Sequence, residues 1–216
     1  MGEHGSISGV QEQGCAALGN LASDSDANRT AIARAGGILA VVVGMMAHSL
    51  VAGVQQEGCL ALRNLASLNE DNRMAIARAG GIEAVVAGMR AHGSIAGVQE
   101  EGCAGLGNLA VSDDNRAAIA RAGGIEAVVL GMRGNRSIAG VQEEGCAALR
   151  NLAVNDENSS AIAGAGGILA VVLGMGAHAS IAGVQEEGCA ALGNLSGNEG
   201  NRAAVARAGQ CSTLDP

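Results

Sequence analysis

Apolar and polar positions along the chain divide it into segments of three kinds. NRTAIARA (28–35) follows helix-start residues DSD (24–26) and stops at a Gly-Gly pair (36–37), which predicts a short first helix. ILAVVVGMMAH (38–48) is nearly all apolar, as expected of a second helix buried between layers. An amphipathic segment from Val51 or Gly53 to Ala66 predicts a third helix, and a polar stretch then starts the next unit.

The third segment returns five times almost unchanged. VQEQGCAALGNLA begins at Val10, and close copies begin at Val54, Val98, Val141 and Val184, a spacing of 43 or 44 residues. A fixed period in this range is typical of a solenoid, in which each unit buries its apolar face only by stacking on its neighbours. We therefore expect one elongated domain whose length reflects the number of repeats.

Composition narrows the partners that suit such a domain. The formal net charge is −8, there is no Phe, Tyr or Trp, and all thirteen basic residues are Arg. Nucleic acid binding needs cations against phosphates and often aromatic rings against bases, so we expect no nucleic acid partner. A basic partner suits this charge better.

Neither a membrane span nor a secretory signal is expected. A hydropathy scan would flag the apolar stretch 35–47 as a candidate membrane span. The equivalent segments of the other repeats carry Glu83 and Arg90, or Glu126 and Arg133, which indicates buried solenoid helices instead. The N-terminal MGEHGSISG has no basic region followed by an apolar run. The default expectation is an intracellular, cytoplasmic protein, with a nuclear location left open.

The cysteines and histidines indicate neither disulfides nor a metal site. Five Cys share one position of the repeat, about 10 Å apart between neighbours, so we expect free thiols in the core, and Cys211 alone is off this pattern. His4, His48, His92 and His178 also share one register, completed by Asn135, and we interpret them as solvent-facing helix ends. No metal or other cofactor is expected. The five repeated positions are Cys15, Cys59, Cys103, Cys146 and Cys189.

Several segments together resemble armadillo repeats: ALRNLA (148–153) as a third helix, NRAAIARAGGI (115–125) as a first helix, and IEAVV (125–129) opening a second. The resemblance covers nearly the whole chain and implies an all-α, right-handed α-α superhelical solenoid of about 43 residues per repeat. We expect a single domain over residues 1–216. Its parts are a partial first repeat (1–25, third helix only), complete repeats 26–69, 70–112, 113–155 and 156–198, and a partial terminal repeat 199–216.

The resemblance also implies that stacked third helices line a concave groove. At about 100° per residue, the positions four and seven before the third-helix Asn face nearly the same way as that Asn, so the three form one stripe. The Asn row is Asn20, Asn64, Asn108, Asn151 and Asn194, and seven residues earlier stand Gln13, Glu57, Glu101, Glu144 and Glu187. In peptide-binding armadillo proteins the matching Asn grips the backbone of an extended peptide and acidic residues pair with Lys or Arg; the resemblance implies the same roles here.

Other interpretations of this stripe stay open. The position four before each Asn, often Trp in nuclear-import receptors, is Ala or Leu throughout, so no aromatic wall is present to sandwich a basic side chain. The Asn row could bridge neighbouring helices, and the Glu row could be a solvated face. The residue before the Asn alternates between Gly and Arg; Arg63 and Arg150 could hold Glu57 and Glu144 or acids of a partner, or the alternation could record a two-repeat duplication.

The sequence thus predicts a noncatalytic module whose groove binds a protein or an extended, basic or polar peptide. The alternatives are a structural spacer or scaffold in a larger assembly and an orphan repeat fragment. Enzyme chemistry has little support, since the glycines of AGAGG (163–167) recur at every helix junction as punctuation and no base is placed beside a nucleophile. Uncapped solenoid ends could also allow end-to-end self-association.

Overall fold

The computed structural model describes residues 4–211, with side chains described through residue 208, and these residues form helices and short connections with no strand among them. Residues 212–216, the end of the expected terminal repeat, lie outside the described part. Three kinds of helix alternate. The first helices are α2 (Asp26–Arg34), α5 (Glu70–Arg78), α8 (Asp113–Arg121), α11 (Asp156–Gly164) and α14 (Glu199–Cys211). The second helices are α3 (Gly37–Ala47), α6 (Gly81–Ala91), α9 (Gly124–Gly134) and α12 (Gly167–Ala177). The third helices are α1 (Ser8–Ala22), α4 (Ala52–Ala66), α7 (Ala96–Leu109), α10 (Ala139–Leu152) and α13 (Ala182–Gly197).

The Gly-Gly junctions turn the chain sharply between first and second helices. Gly36 has φ +81°, a left-handed conformation that residues with a Cβ rarely adopt, and α2 and α3 meet there at a bend of 70°. The next glycine, Gly37, is needed for packing, because a Cβ would lie 3.0 Å from the Ile32 carbonyl oxygen and closer still to the Ile32 side chain. Both glycines therefore have separate structural roles, and the three later junctions repeat them.

The repeats stack into a solenoid whose core lies between layers of helices. Each second helix buries most of its Ile and Val residues against the third helix that follows, and Val85 and Met89 of α6 are examples of such buried residues. Third helices pack most extensively on one another, whereas first helices and second helices touch their counterparts in the next repeat sparsely. Third helices thus lie on the inner radius of the stack and line its concave side.

Polar ladders hold the repeats in register in addition to the apolar core. Asn72 of α5 donates its side-chain Nδ2–H to the Arg29 carbonyl of α2 at 3.3 Å, and equivalent bonds recur in later repeats. His48 contacts the Gly5 carbonyl through Nε2 at 2.7 Å, and Asn135, which replaces His in its repeat, donates to the Gly93 carbonyl at 2.9 Å. The histidines His48, His92 and His178 thus lie at the exposed ends of second helices, as expected, and they also connect successive repeats; Asn135 makes the same connection but is buried.

Across residues 4–211, no individual helix combines the length and apolarity needed to cross a bilayer. Two pairs meet that test only when taken together, α2 with α3 and α11 with α12, and each pair is bent by 70°.

Candidate functional site

The third-helix asparagines form a ladder along the concave surface. Asn64 donates Nδ2–H to the carbonyl of Gly19, which is the residue before the preceding Asn, at 3.0 Å. Asn108 does the same to Arg63 at 3.0 Å, Asn151 to Gly107 at 3.0 Å, and Asn194 to Arg150 at 2.9 Å. Asn20 is exposed, and no third helix precedes its own helix α1 among the described residues. The bridging interpretation of the Asn row is thus what the structure shows for four of its five members.

This bond uses only part of each amide. An Asn side chain has two N–H donors and an acceptor oxygen, and the bond to the preceding helix takes one donor. The amides of Asn64, Asn108 and Asn151 are half-buried and that of Asn194 is exposed, so each retains access from the groove. The Asn151 oxygen also accepts from Nε of Arg150 at 3.3 Å.

The glutamates seven residues earlier lie on the same helices, half-buried, but their cationic partners differ from those that the sequence suggested. Arg63 bonds Glu101 at 3.0 Å through one terminal nitrogen and Glu144 at 3.2 Å through the other. Arg150 pairs with Glu187 at 2.7 Å. The suggested pairs of Arg63 with Glu57 and of Arg150 with Glu144 are therefore wrong: each Arg reaches toward the next repeat instead of back along its own helix.

Glu57 differs from the other three glutamates of the row. Among the described residues no cation contacts its carboxylate, and the corresponding upstream position, which would supply an Arg, is Gly19. Burial first, and then the charges of Glu12 and Glu101, raise the pKa of Glu57. Folding therefore holds a carboxylate where its charge is disfavoured, and a ligand cation placed beside it would relieve that cost.

Glu144 has a different environment. Burial is the largest influence raising its pKa, Arg63 opposes that rise, and Glu101, Glu143 and Glu100 add to it. Glu100 and Glu143 directly precede the members of the Glu row and were not singled out from the sequence. They matter because they add negative charge beside the row, which the VQEE pattern of the repeat could have indicated.

Four of the five repeated cysteines have buried thiols of low reactivity, and the fifth is exposed. Cys59 and Cys103 are fully buried, and burial raises the pKa of both thiols. Burial likewise raises the pKa of Cys15 to about 11 and that of Cys146 to about 12. Cys189 is exposed, so its expected place in the core is wrong; within residues 4–211 no further third helix packs over α13.

No group of three or more His, Cys, Asp or Glu within residues 4–208 is arranged to hold a metal ion. The concave stripe is the arrangement that repeats in register, with amide groups and carboxylates at regular intervals along one surface.

Comparisons with known proteins agree on the architecture. No protein-family model and no curated protein sequence matches the chain. Among solved structures, an engineered protein from the Northeast Structural Genomics Consortium is 32% identical, with 94% of this chain and 81% of that one aligned at a TM-score of 0.81. A designed armadillo repeat protein in complex with the peptide (KR)4 is 21% identical, with 90% of this chain and 80% of that one aligned at a TM-score of 0.78. A third match, at 19% identity, 90% and 80% coverage and a TM-score of 0.78, is described as computationally designed armadillo repeat proteins for modular peptide recognition.

Proposed function

The chain is an armadillo-like repeat protein, and on that premise we propose that its concave groove binds an extended peptide segment as a noncatalytic interaction module. The observation that carries the proposal is the row of third-helix Asn amides, four of which are each fixed by one bond to the preceding helix: Asn64, Asn108, Asn151 and Asn194. The bond leaves a donor and an acceptor at regular intervals, which suits the repeated N–H and C=O groups of an extended backbone.

Basic side chains are the favoured ligand groups. The groove contains Glu57, Glu101, Glu144 and Glu187 with only two Arg residues among them, and Glu57 is unpaired among the described side chains. The peptide (KR)4 bound by the designed armadillo repeat protein offers a ready probe of this chemistry. Because the groove has no aromatic residues, we expect affinity that depends on charge and falls with salt.

The test is fluorescence anisotropy with labelled (KR)4 at low and physiological salt, beside a neutral Gly-Ser peptide of equal length. Glu57→Gln removes the unpaired charge and should weaken (KR)4 binding several-fold, by about 1 kcal/mol. The pKa of Glu57 is raised in the fold, so this variant should be at least as stable as the parent, and a weaker affinity cannot be attributed to unfolding.

Glu83→Gln is the matched control. It removes the same charge from an exposed position on second helix α6, away from the third-helix surface, and should leave affinity unchanged. No saturable binding of (KR)4 by the folded parent would refute the proposal. Equal affinities in the two variants would remove Glu57 from the site.

We further propose that copies of this chain associate end to end, and a separate observation supports this. Leu21 of α1 is 56% exposed, whereas its equivalent Leu65 is fully buried against the neighbouring repeat. Light scattering over a concentration series tests it: growth in mass that Leu21→Glu abolishes would support stacking of copies, and a constant monomer mass would refute it for this chain.

A further inference from the structure

Arg63 spans two repeats within the groove. It lies on α4, yet its terminal nitrogens bond Glu101 of α7 at 3.0 Å and Glu144 of α10 at 3.2 Å, so one guanidinium pairs with carboxylates of two different third helices. The Arg63 side chain is 32% exposed, and the two glutamates are 17% and 26% exposed. These contacts are half-buried on the groove surface, so a basic ligand side chain would have to compete with Arg63 for the two carboxylates.

The Arg63 side chain can extend past α7 because α7 has a glycine, with no side chain, at the position equivalent to Arg63. Gly107 stands where Arg63 stands one repeat earlier, so no second guanidinium competes for the same space. Alternation of Arg with Gly thus lets one Arg serve two successive glutamates.

The same arrangement begins again at Arg150, which pairs with Glu187. Every member of the Glu row downstream of Arg63 therefore has a guanidinium of its own chain beside it. Glu57, whose upstream neighbour is Gly19, is the exception within the described residues.

We infer that Arg63 and Arg150 are specificity-determining residues of the groove, because their guanidinium groups already pair with the carboxylates that a ligand's basic side chains would otherwise bind. This inference rests on the proposed function. A ligand cation is then directed to the Glu57 end, while the rest of the groove accepts neutral side chains. The alternation has a functional consequence whatever its evolutionary origin.

The prediction is that removing a competitor improves binding. Arg63→Gln keeps much of the aliphatic stem but removes the charge, and it frees both Glu101 and Glu144. Labelled (KR)4 should bind this variant about tenfold more tightly than the parent, with a steeper loss of affinity as salt is raised. Arg150→Gln frees only Glu187 and should give a smaller gain; it also provides the test should Arg63→Gln fail to fold.

Arg121→Gln is the control for net charge. Arg121 is exposed at the end of first helix α8, so its removal changes the total charge equally without opening a groove carboxylate, and affinity should change less than about twofold. Saturable binding by the parent together with no gain in Arg63→Gln and Arg150→Gln over Arg121→Gln would overturn the inference but leave the proposed function standing. No saturable binding by the folded parent or by any variant would refute the proposed function and this inference with it.

Discussion

Two glycines in α7, three residues apart, should respond in opposite directions to replacement by alanine. Gly102 is Gly in all five copies of the repeated phrase, whereas Gly105 is Ala in the other four copies. A Cβ at Gly102 would lie 2.5 Å from Cγ and 2.8 Å from Sδ of Met89. A Cβ at Gly105 would meet the Cys59 carbonyl oxygen at 3.7 Å, an ordinary van der Waals contact.

The magnitudes follow from helix propensity and packing. Replacing Gly by Ala within a helix stabilises by about 1 kcal/mol at either site. At Gly102 this gain is opposed by displacement of Met89, which is only 1% exposed and cannot swing into solvent; overpacking of this kind costs about 3 kcal/mol at the upper end of its usual range. We therefore expect Gly105→Ala to stabilise by about 1 kcal/mol and Gly102→Ala to destabilise by about 2 kcal/mol.

Urea unfolding followed by circular dichroism would measure both variants against the parent. A Gly102→Ala protein as stable as the parent, or more stable, would refute the packing argument. Adding Met89→Ala provides a further check: the double variant should lose less stability than the sum of the two single losses, because the shortened side chain makes room for the new methyl group.

Two further predictions concern the groove residues themselves. Asn108→Ala should lower stability by about 1 kcal/mol because it removes the bond to the Arg63 carbonyl. Asn20→Ala should change stability little, since the Asn20 side chain bonds nothing among the described residues. Urea unfolding compares the two variants, and equal losses of stability would contradict the structural role of the Asn ladder. Glu57→Gln should raise the free energy of unfolding at pH 7.5 by at most about 1 kcal/mol, since solvent screens this half-buried group; thermal unfolding measures the change. A raised folded-state pKa makes ionised Glu57 unfavourable above that pKa, so the gain should shrink as pH falls through it and vanish below the ordinary value of about 4.3; a gain that is constant with pH would contradict this account.

Much of the fold follows directly from the repeated pattern. Helices expected at 28–35, 38–48 and from Val51 or Gly53 to Ala66 correspond to α2, α3 and α4 within two residues at each end. The Gly-Gly junctions were recognisable as helix ends because glycine tolerates the left-handed conformation that terminates a helix. Repetition also made the prediction robust, since each unit supplied the same signals again.

Features that depend on a neighbour were harder to predict. Arg63 and Glu144 are 81 residues apart, and their contact depends on the curvature that brings alternate third helices together across α7. Residue spacing along one helix suggested Glu57 as the partner, because that argument considers a single helix alone. Cys189 was predicted wrongly for a related reason: a nearly identical phrase was assumed to have an identical environment, but in the described part of the chain no third helix follows α13.

The bridging role of the Asn ladder does not compete with peptide binding. A free Asn side chain would have to be ordered when a ligand arrives, and that ordering costs affinity. Here the bond to the preceding carbonyl, 3.0 Å long at Asn64 and Asn108, fixes the amide before any ligand binds and leaves a donor and an acceptor unused by that bond. Replacing such an Asn would therefore disturb repeat stacking and recognition together. Charge variants at Glu57 and Arg63 separate the two effects, because the first is expected to leave the fold at least as stable and the second to strengthen binding, which no loss of structure would imitate.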